Sequence, residues 1–316
     1  MSDVYLNHLA YALGGCSQDV EAAGAAGLLL SPAAALRDAG FDKHHYCAPD
    51  EDAYGLARQA LAASNIDPSI VDCIVYATCL PLNANLCPLS RFEGSGDVKH
   101  LMDFPASRLQ ADHGMENAFV VGLNQQACTG MLGSVRLARN MLAGEPDLEN
   151  ILCITADRFP VGALYEQAYN LISDGGAACL VSRRPEGFRI LATHHLTNGA
   201  LAQASDDQTV GSFFTYVHRV VSETLAKAEL DMADIRWVVP QNTNRKAWPI
   251  LASLLGVADD QAFFESMPEC GHVISADNVI NLALLESRGA LSTGDRVVTF
   301  MAGFGSNWQC LLLERI

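Results

Sequence analysis

"NQQACTGMLGSVRLARNML", Asn124–Leu142, is where the chain changes period. Before it, "NAFVVGLN" (117–124) is almost continuously apolar, as in a strand covered on both faces. After it, Met131, Leu132, Val135, Ala138 and Leu142 recur at helical spacing. Cys128 sits on the joint, with the small residues Ala127, Thr129 and Gly130 around it. A thiol in the first turn of a helix feels the positive end of the helix dipole, which favours thiolate. A nucleophile on a sharp strand-to-helix turn is also the arrangement that covalent acyl transfer needs. Taken alone, Cys128 reads equally well as a small buried hydrophobe. Cys73, Cys153, Cys179 and Cys310, inside apolar runs, read only that way.

Working outward, the same alternation repeats. Strands are predicted at 71–79, 117–124, 150–157, 177–182, 235–241, 296–303 and 308–316, and helices at 52–64, 130–143, 213–229, 244–255 and 277–288. Strand and helix in turn mean an α/β class. "LAASNIDPSIVDCIV" from Leu61 echoes "LAKAELDMADIRWVV" from Leu225. "GMLGSVRLARNMLAG" then "NILCITA" echoes "ADNVINLALLESRGALSTG" then "RVVTFMA". A duplicated α/β half explains both echoes, with an N-terminal half over 1–185 and a C-terminal half over 186–316. Residues 84–112, mixed in charge with Pro and Gly, fit neither pattern. They read as an inserted loop with one helical turn, in the position of a lid or pocket wall.

Composition narrows the function. A net charge of −16 over 316 residues argues against nucleic-acid binding and against docking on anionic membranes. An acidic carrier protein would need a local basic patch, for which Arg136, Arg139, Arg245 and Lys246 are the candidates. No CxxC pair is present, so a zinc ribbon or other metal site is not expected. The start "MSDVYLNHLAYALGG" lacks a basic region and cleavage site, and no apolar run is long enough to span a bilayer. The expectation is a soluble cytoplasmic protein with reduced cysteines. His194, His195 and Asp174 read as structural or loop residues, His44 and His45 as exposed, and Trp248 and Trp308 as core.

The segment around Cys128 resembles the active-site cysteine segment of the thiolase-like condensing enzymes, nearest to 3-oxoacyl-ACP synthase III. "ISDGGAACLVS" (172–182) is similar to that family's Gly-Asp-Gly-Ala loop. "VVPQNTNRKAW" (238–248) falls where it carries Pro-His-Gln-Ala-Asn. "ECGHVISADNVINLALLESRGALSTGDRVV" falls where it carries Gly-Asn and a helix, and "AGFGSNW" (302–308) resembles its terminal glycine loop. The resemblance implies a duplicated five-layer αβαβα fold, a homodimer, and an acyl group taken by Cys128 from CoA or a phosphopantetheinyl carrier protein. No metal or other cofactor is implied. The oxyanion would be held by the Cys128 backbone N–H and the Gly303–Phe304–Gly305 loop.

The pattern breaks at its decarboxylating pair. Where the family has the loop histidine, this chain has Gln241, and where it has the loop asparagine, this chain has His272. Gln241 can donate a hydrogen bond but cannot exchange a proton near neutral pH. Asn242 and Asn244 stand nearby as further candidates. A single His near an acyl-cysteine can serve as general base for an alcohol or amine. Asp277 could orient that imidazole or merely cap the following helix. "GHVISADNVINL" resembles the natural-product branch that moves acyl groups to oxygen or nitrogen. An acyltransferase of secondary metabolism with a small-molecule acceptor is therefore the leading expectation. A decarboxylating condensing enzyme and a non-catalytic subunit of a heteromeric one are the alternatives.

Overall fold

The computed structural model describes residues 3–80, 89–202 and 204–316. Nine strands carry the fold: β1 (Tyr5–Leu13), β2 (Cys73–Ala77), β3 (Phe119–Leu123), β4 (Asn150–Asp157), β5 (Gly175–Ser182), β6 (Phe188–Thr197), β7 (Trp237–Val239), β8 (Arg296–Gly303) and β9 (Asn307–Arg315). Their order across the sheet is β7-β8-β9-β6-β1-β5-β4-β2-β3. The duplication is visible in that order. From the free edge inward, β3, β2 and β4 are parallel, and β5 and β1 follow antiparallel. In the other direction β7 and β8 are parallel, and β9 and β6 follow antiparallel. A parallel bridge from Val238 to Ala262 stands where the matching edge strand would be. Among the described residues the two series pair where β1 meets β6 at Tyr5 and Leu6.

The helices repeat in the same sense. Helix α1 (Ala53–Ser64) covers the outer face of β1, β5 and β4, and α3 (Asp206–Ala226), packed against α4 (Trp248–Leu255), covers the outer face of β6, β9 and β8. Between the two sheet halves lie α2 (Gly130–Gly144) and α5 (Asp277–Ser287), which touch strands of both series. The layers are thus helix, sheet, helix, sheet, helix. Apolar residues on both faces of β2, β4 and β5 follow from this, because each strand has helices above and below. Among the described residues the core has an inner cluster around α2 and α5, one beneath each outer helix layer, and a smaller one around Phe41, Leu171 and Met267.

Several expectations need correction. Strand β1 is absent from the predicted set: a bulge between Asn7 and Ala10, with His8 at φ 54°, breaks its alternation. Residues 84–88 lie outside the described residues. The rest of the supposed loop is largely helical, at Leu89–Ser95, Val98–Leu101 and Pro105–Asp112, and no described residue of 89–112 lines the main cavity. His44 is buried, its Nδ1 bonded to Ile172 O at 2.9 Å. Among the described residues no helix is long and apolar enough to cross a membrane.

Candidate active site

Cys128 lies in a single turn of 3-10 helix, Ala127–Thr129, that runs directly into α2. Ala127 holds φ at 43°, a left-handed conformation that costs a non-glycine residue energy and is kept only when its surroundings enforce it. They do. Ser275 Oγ donates to Ala127 O (3.0 Å), Thr129 Oγ1 donates to Gln126 O (2.7 Å), and Gln309 Nε2 donates to Gln126 Oε1 (2.7 Å). Ser275 and Gln309 come from the C-terminal half, so each half clamps the turn. Gly303, at the end of β8, lies against the same turn. A Cβ on it would stand 3.0 Å from the Cys128 backbone nitrogen and 2.9 Å from Gln126 O. Only glycine lets the hairpin Phe304–Gly305–Ser306 approach so closely, and Gly305 turns it at φ 74°.

His272 follows Gly271, whose φ of 64° and contact with Leu171 O again require glycine. The His272 backbone is stitched to the N-terminal half: its N–H donates to Leu171 O (2.8 Å), and its carbonyl accepts from Ser173 N–H (2.9 Å). Its Nδ1 lies 2.5 Å from Asp277 Oδ2. The fully buried Asp277 carboxylate also accepts the N–H of Asn242 (2.8 Å) on Oδ2 and that of Val273 (2.7 Å) on Oδ1. Asp277 is the first residue of α5, and Ala276 before it caps without a side-chain bond, so the carboxylate is spent on the imidazole and two loop amides. That leaves His272 Nε2 uncommitted, and the imidazole shares the cavity with Cys128, which acts on it electrostatically.

The electrostatics suit an ion pair. A hydrogen bond from the Cys79 thiol, with one from His272 and the imidazolium charge, outweighs burial and holds the Cys128 thiol below its ordinary range. Burial alone would push the His272 imidazole down, but the Asp277 carboxylate and Cys128 raise it above the usual histidine range. Beneath the site, burial pushes the Asp157 carboxyl up to about 7. Its oxygens accept from Thr78 Oγ1 (2.7 Å) and from the N–H groups of Cys79 and Leu80 (both 2.9 Å).

Cys128 and His272 open into one cavity of about 720 Å³. Apolar groups from the C-terminal half, among them Phe213, Phe214, Ile250 and Trp308, make up much of its wall, and Tyr169, Ile250 and Phe304 are left exposed in the same lining. Trp308 is core, as expected, yet one edge lines the cavity while Tyr216 stacks on it at 4.2 Å. Gly303, Phe304 and Gly305 line it, as do Gln241 and Asn244. Gln241 Oε1 accepts the Ala302 N–H (2.6 Å), which fixes the amide's orientation and leaves its NH2 end as the free donor. Asn244 spends its Oδ1 on the Lys246 N–H (3.0 Å) and acts as a cap.

Asn242 does not belong with them. Its side chain is fully buried away from the cavity, donating to Ser266 Oγ (2.9 Å) and Gly271 O (2.8 Å) and accepting from Asn281 Nδ2 (2.9 Å). Only its backbone N–H serves the site, through Asp277. The basic residues also divide. Lys246 lines the main cavity, whereas Arg136 and Arg139 meet His195 and Lys227 around a separate recess. Asp174 accepts from the N–H groups of Cys47 and Phe159 and from Tyr165 OH, the loop role expected of it. Sequence reasoning passed over Cys79 and Asp157, which look like any other residues at the end of an apolar strand.

Comparison with known proteins agrees with this architecture. A profile of the family described as 3-oxoacyl-[acyl-carrier-protein (ACP)] synthase III matches residues 124–199, and the profile of its C-terminal part matches 225–315. The beta-ketoacyl-[acyl-carrier-protein] synthase III of Aquifex aeolicus is 24% identical over 271 residues, covering 82% of this chain and 81% of its own. That of Ruegeria pomeroyi is 25% identical over 307 residues, covering 87% and 88%. Among solved structures, the Pseudomonas aeruginosa 3-oxoacyl-(acyl carrier protein) synthase III superposes with a TM-score of 0.82 at 20% identity, over 99% of this chain and 98% of that one. ChlB3, described as an acyltransferase, superposes with a TM-score of 0.79 at 21% identity, over the same shares. At these identities the superpositions speak to the fold.

Proposed function

The chain belongs to the thiolase-like 3-oxoacyl-[acyl-carrier-protein] synthase III family of enzymes, and from that premise we propose that it is an acyltransferase that loads an acyl group on Cys128 and passes it to a hydroxyl or amine. The observation that carries this reading is the buried His272–Asp277 pair, 2.5 Å apart, beside the Cys128 sulfur in an apolar cavity.

In this reading the Cys128 thiolate attacks the thioester of an acyl-CoA or an acyl carrier protein. The oxyanion forms against the Cys128 backbone N–H and the turn at Gly303–Gly305. His272 Nε2 gives its proton to the departing thiol and is left a neutral base, with Asp277 keeping the other proton on Nδ1. The acceptor then enters, gives its proton to Nε2 and attacks the acyl carbon, and Cys128 leaves as thiolate. Decarboxylative condensation instead needs two donors on the carbonyl of a malonyl thioester, to hold an enolate as carbon dioxide departs. Here Asn242 is turned away, so those two donors would have to be the His272 imidazole and the Gln241 NH2, an amide that stands where the family has its histidine. The names of the synthase relatives favour that second reading, and the description of ChlB3 favours the first. We assign the chain to secondary metabolism and to a homodimer. The unpaired edge of β3, with Phe119 and Val120 exposed, supports the latter.

Intact-protein mass spectrometry after incubation with acyl-CoAs, malonyl-CoA among them, tests this on wild type and Cys128→Ala. An adduct lost in the variant, with malonyl retained whole and released to an alcohol or amine, is the expected result. Release of labelled carbon dioxide with a new carbon–carbon bond would replace transfer by condensation, and no adduct with any CoA or carrier thioester would remove the enzyme reading.

A further inference from the structure

The proposed transfer uses Cys128, His272 and Asp277 and leaves a second thiol in the same cavity without a task. Cys79 lines the same cavity as Cys128, and each thiol acts electrostatically on the other. Its backbone is fixed rather than loose: Asp157 accepts the Cys79 N–H at 2.9 and 3.1 Å and the Leu80 N–H at 2.9 Å. The strand that carries it abuts the start of α2, where a Cβ built on Gly130 would lie 3.1 Å from Ala77 Cβ. Cys79 is partly exposed and Cys128 buried, but both line the cavity, so a small solute that enters it meets both side chains.

We propose that Cys79 and Cys128 are a modification site, closing to a disulfide when hydrogen peroxide enters the acyl cavity. The Cys128 thiolate attacks one peroxide oxygen, the O–O bond breaks, and hydroxide leaves and takes a proton from the imidazolium of His272 to become water. Cys128 is now a sulfenic acid. The Cys79 sulfur attacks it, an S–S bond forms, the S–O bond breaks, and the hydroxyl departs as a second water with the Cys79 proton. Two thiols lose two electrons and one peroxide gains them. The cross-link occupies the nucleophile, so acyl loading stops, and a dithiol reductant restores it. It also diverts Cys128 from the irreversible sulfinic state. The inference needs only a reactive Cys128 thiolate, and it stands or falls separately from the identity of donor and acceptor.

The test is intact mass and peptide mapping of the purified, reduced full chain after hydrogen peroxide treatment. Wild type is expected to lose two hydrogens, reversibly with dithiothreitol, with the peptides of Cys79 and Cys128 joined. Cys79→Ser and Cys79→Ala are expected to lose that cross-link and to gain two oxygens on Cys128 instead. A cross-link from Cys128 to another cysteine, such as Cys87, overturns the proposal. So does a wild-type Cys128 that gains two oxygens with no cross-link, a result that needs no variant to fold.

Discussion

Replacing Asp277 by asparagine changes one atom's chemistry and almost no volume, and its effect can be worked from three hydrogen bonds. Oδ1 accepts from Val273 N–H at 2.7 Å, and Oδ2 accepts from Asn242 N–H at 2.8 Å and from His272 Nδ1 at 2.5 Å. Asparagine keeps one acceptor and turns the other into a donor. With NH2 toward Asn242 and His272, it meets a backbone N–H head-on and forces His272 to carry its proton on Nε2, where a base must have none. With NH2 toward Val273, the same clash moves to that amide. Each way a buried N–H loses its partner, at a cost of roughly 1–3 kcal/mol, or about 2–5 °C in Tm for a chain of this length. Where the tautomer is wrong, transfer from acyl-Cys128 should slow by about 10²–10⁴-fold. The assay follows formation and decay of the acyl-enzyme by intact mass, with alcohols, amines and water as acceptors. Loading should suffer less than transfer when donor is in excess, because an attacking thiol needs less base than an alcohol. A variant that folds, melts like wild type and transfers within about threefold of it would refute the orienting role.

Cys128 should alkylate with iodoacetamide well below the pH at which an ordinary thiol does. Its folded pKa is lowered, so thiolate persists as pH falls from 9 toward neutrality, and Cys79→Ser or His272→Ala should move the midpoint back up. Gly303→Ala should push the hairpin off the Cys128 turn, since its Cβ would meet Gln126 O at 2.9 Å and the Cys128 nitrogen at 3.0 Å, costing on the order of 10²-fold in loading rate measured by intact mass. Asn242→Ala should lower Tm through the three hydrogen bonds of its side chain, while the acyl-enzyme that does fold decays at a near-normal rate.

Much of the fold was legible because its strands are covered on both faces and so read as apolar runs. The strands at 150–157 and 296–303 have the expected limits, and the echo of Leu61 in Leu225 corresponds to α1–β2 against α3–β7. What could not be read was local. The left-handed His8 in β1 interrupts the alternation that marks a strand, and 89–112 has helices too short for periodicity to show.

The site divides along a different line. Cys128 was singled out by the small-residue turn around it and His272 by the loop position it holds in the family resemblance, and both line the cavity. Asn242 was misplaced because one position separates a side chain that faces the cavity from one that faces away, and only Gln241 faces it. That difference bears on the chemistry. The Asn242 amide joins Ser266, Gly271 and Asn281 in a network that holds the His272 loop, and its backbone N–H holds Asp277. The residue that looked like half of an enolate-binding pair is instead part of the scaffold behind the His272–Asp277 pair. A carbonyl placed in this cavity meets one imidazole and one amide, whereas an alcohol or amine meets a base whose second nitrogen is already tied to a buried carboxylate. In the proposed transfer the pair serves the acceptor that must lose a proton.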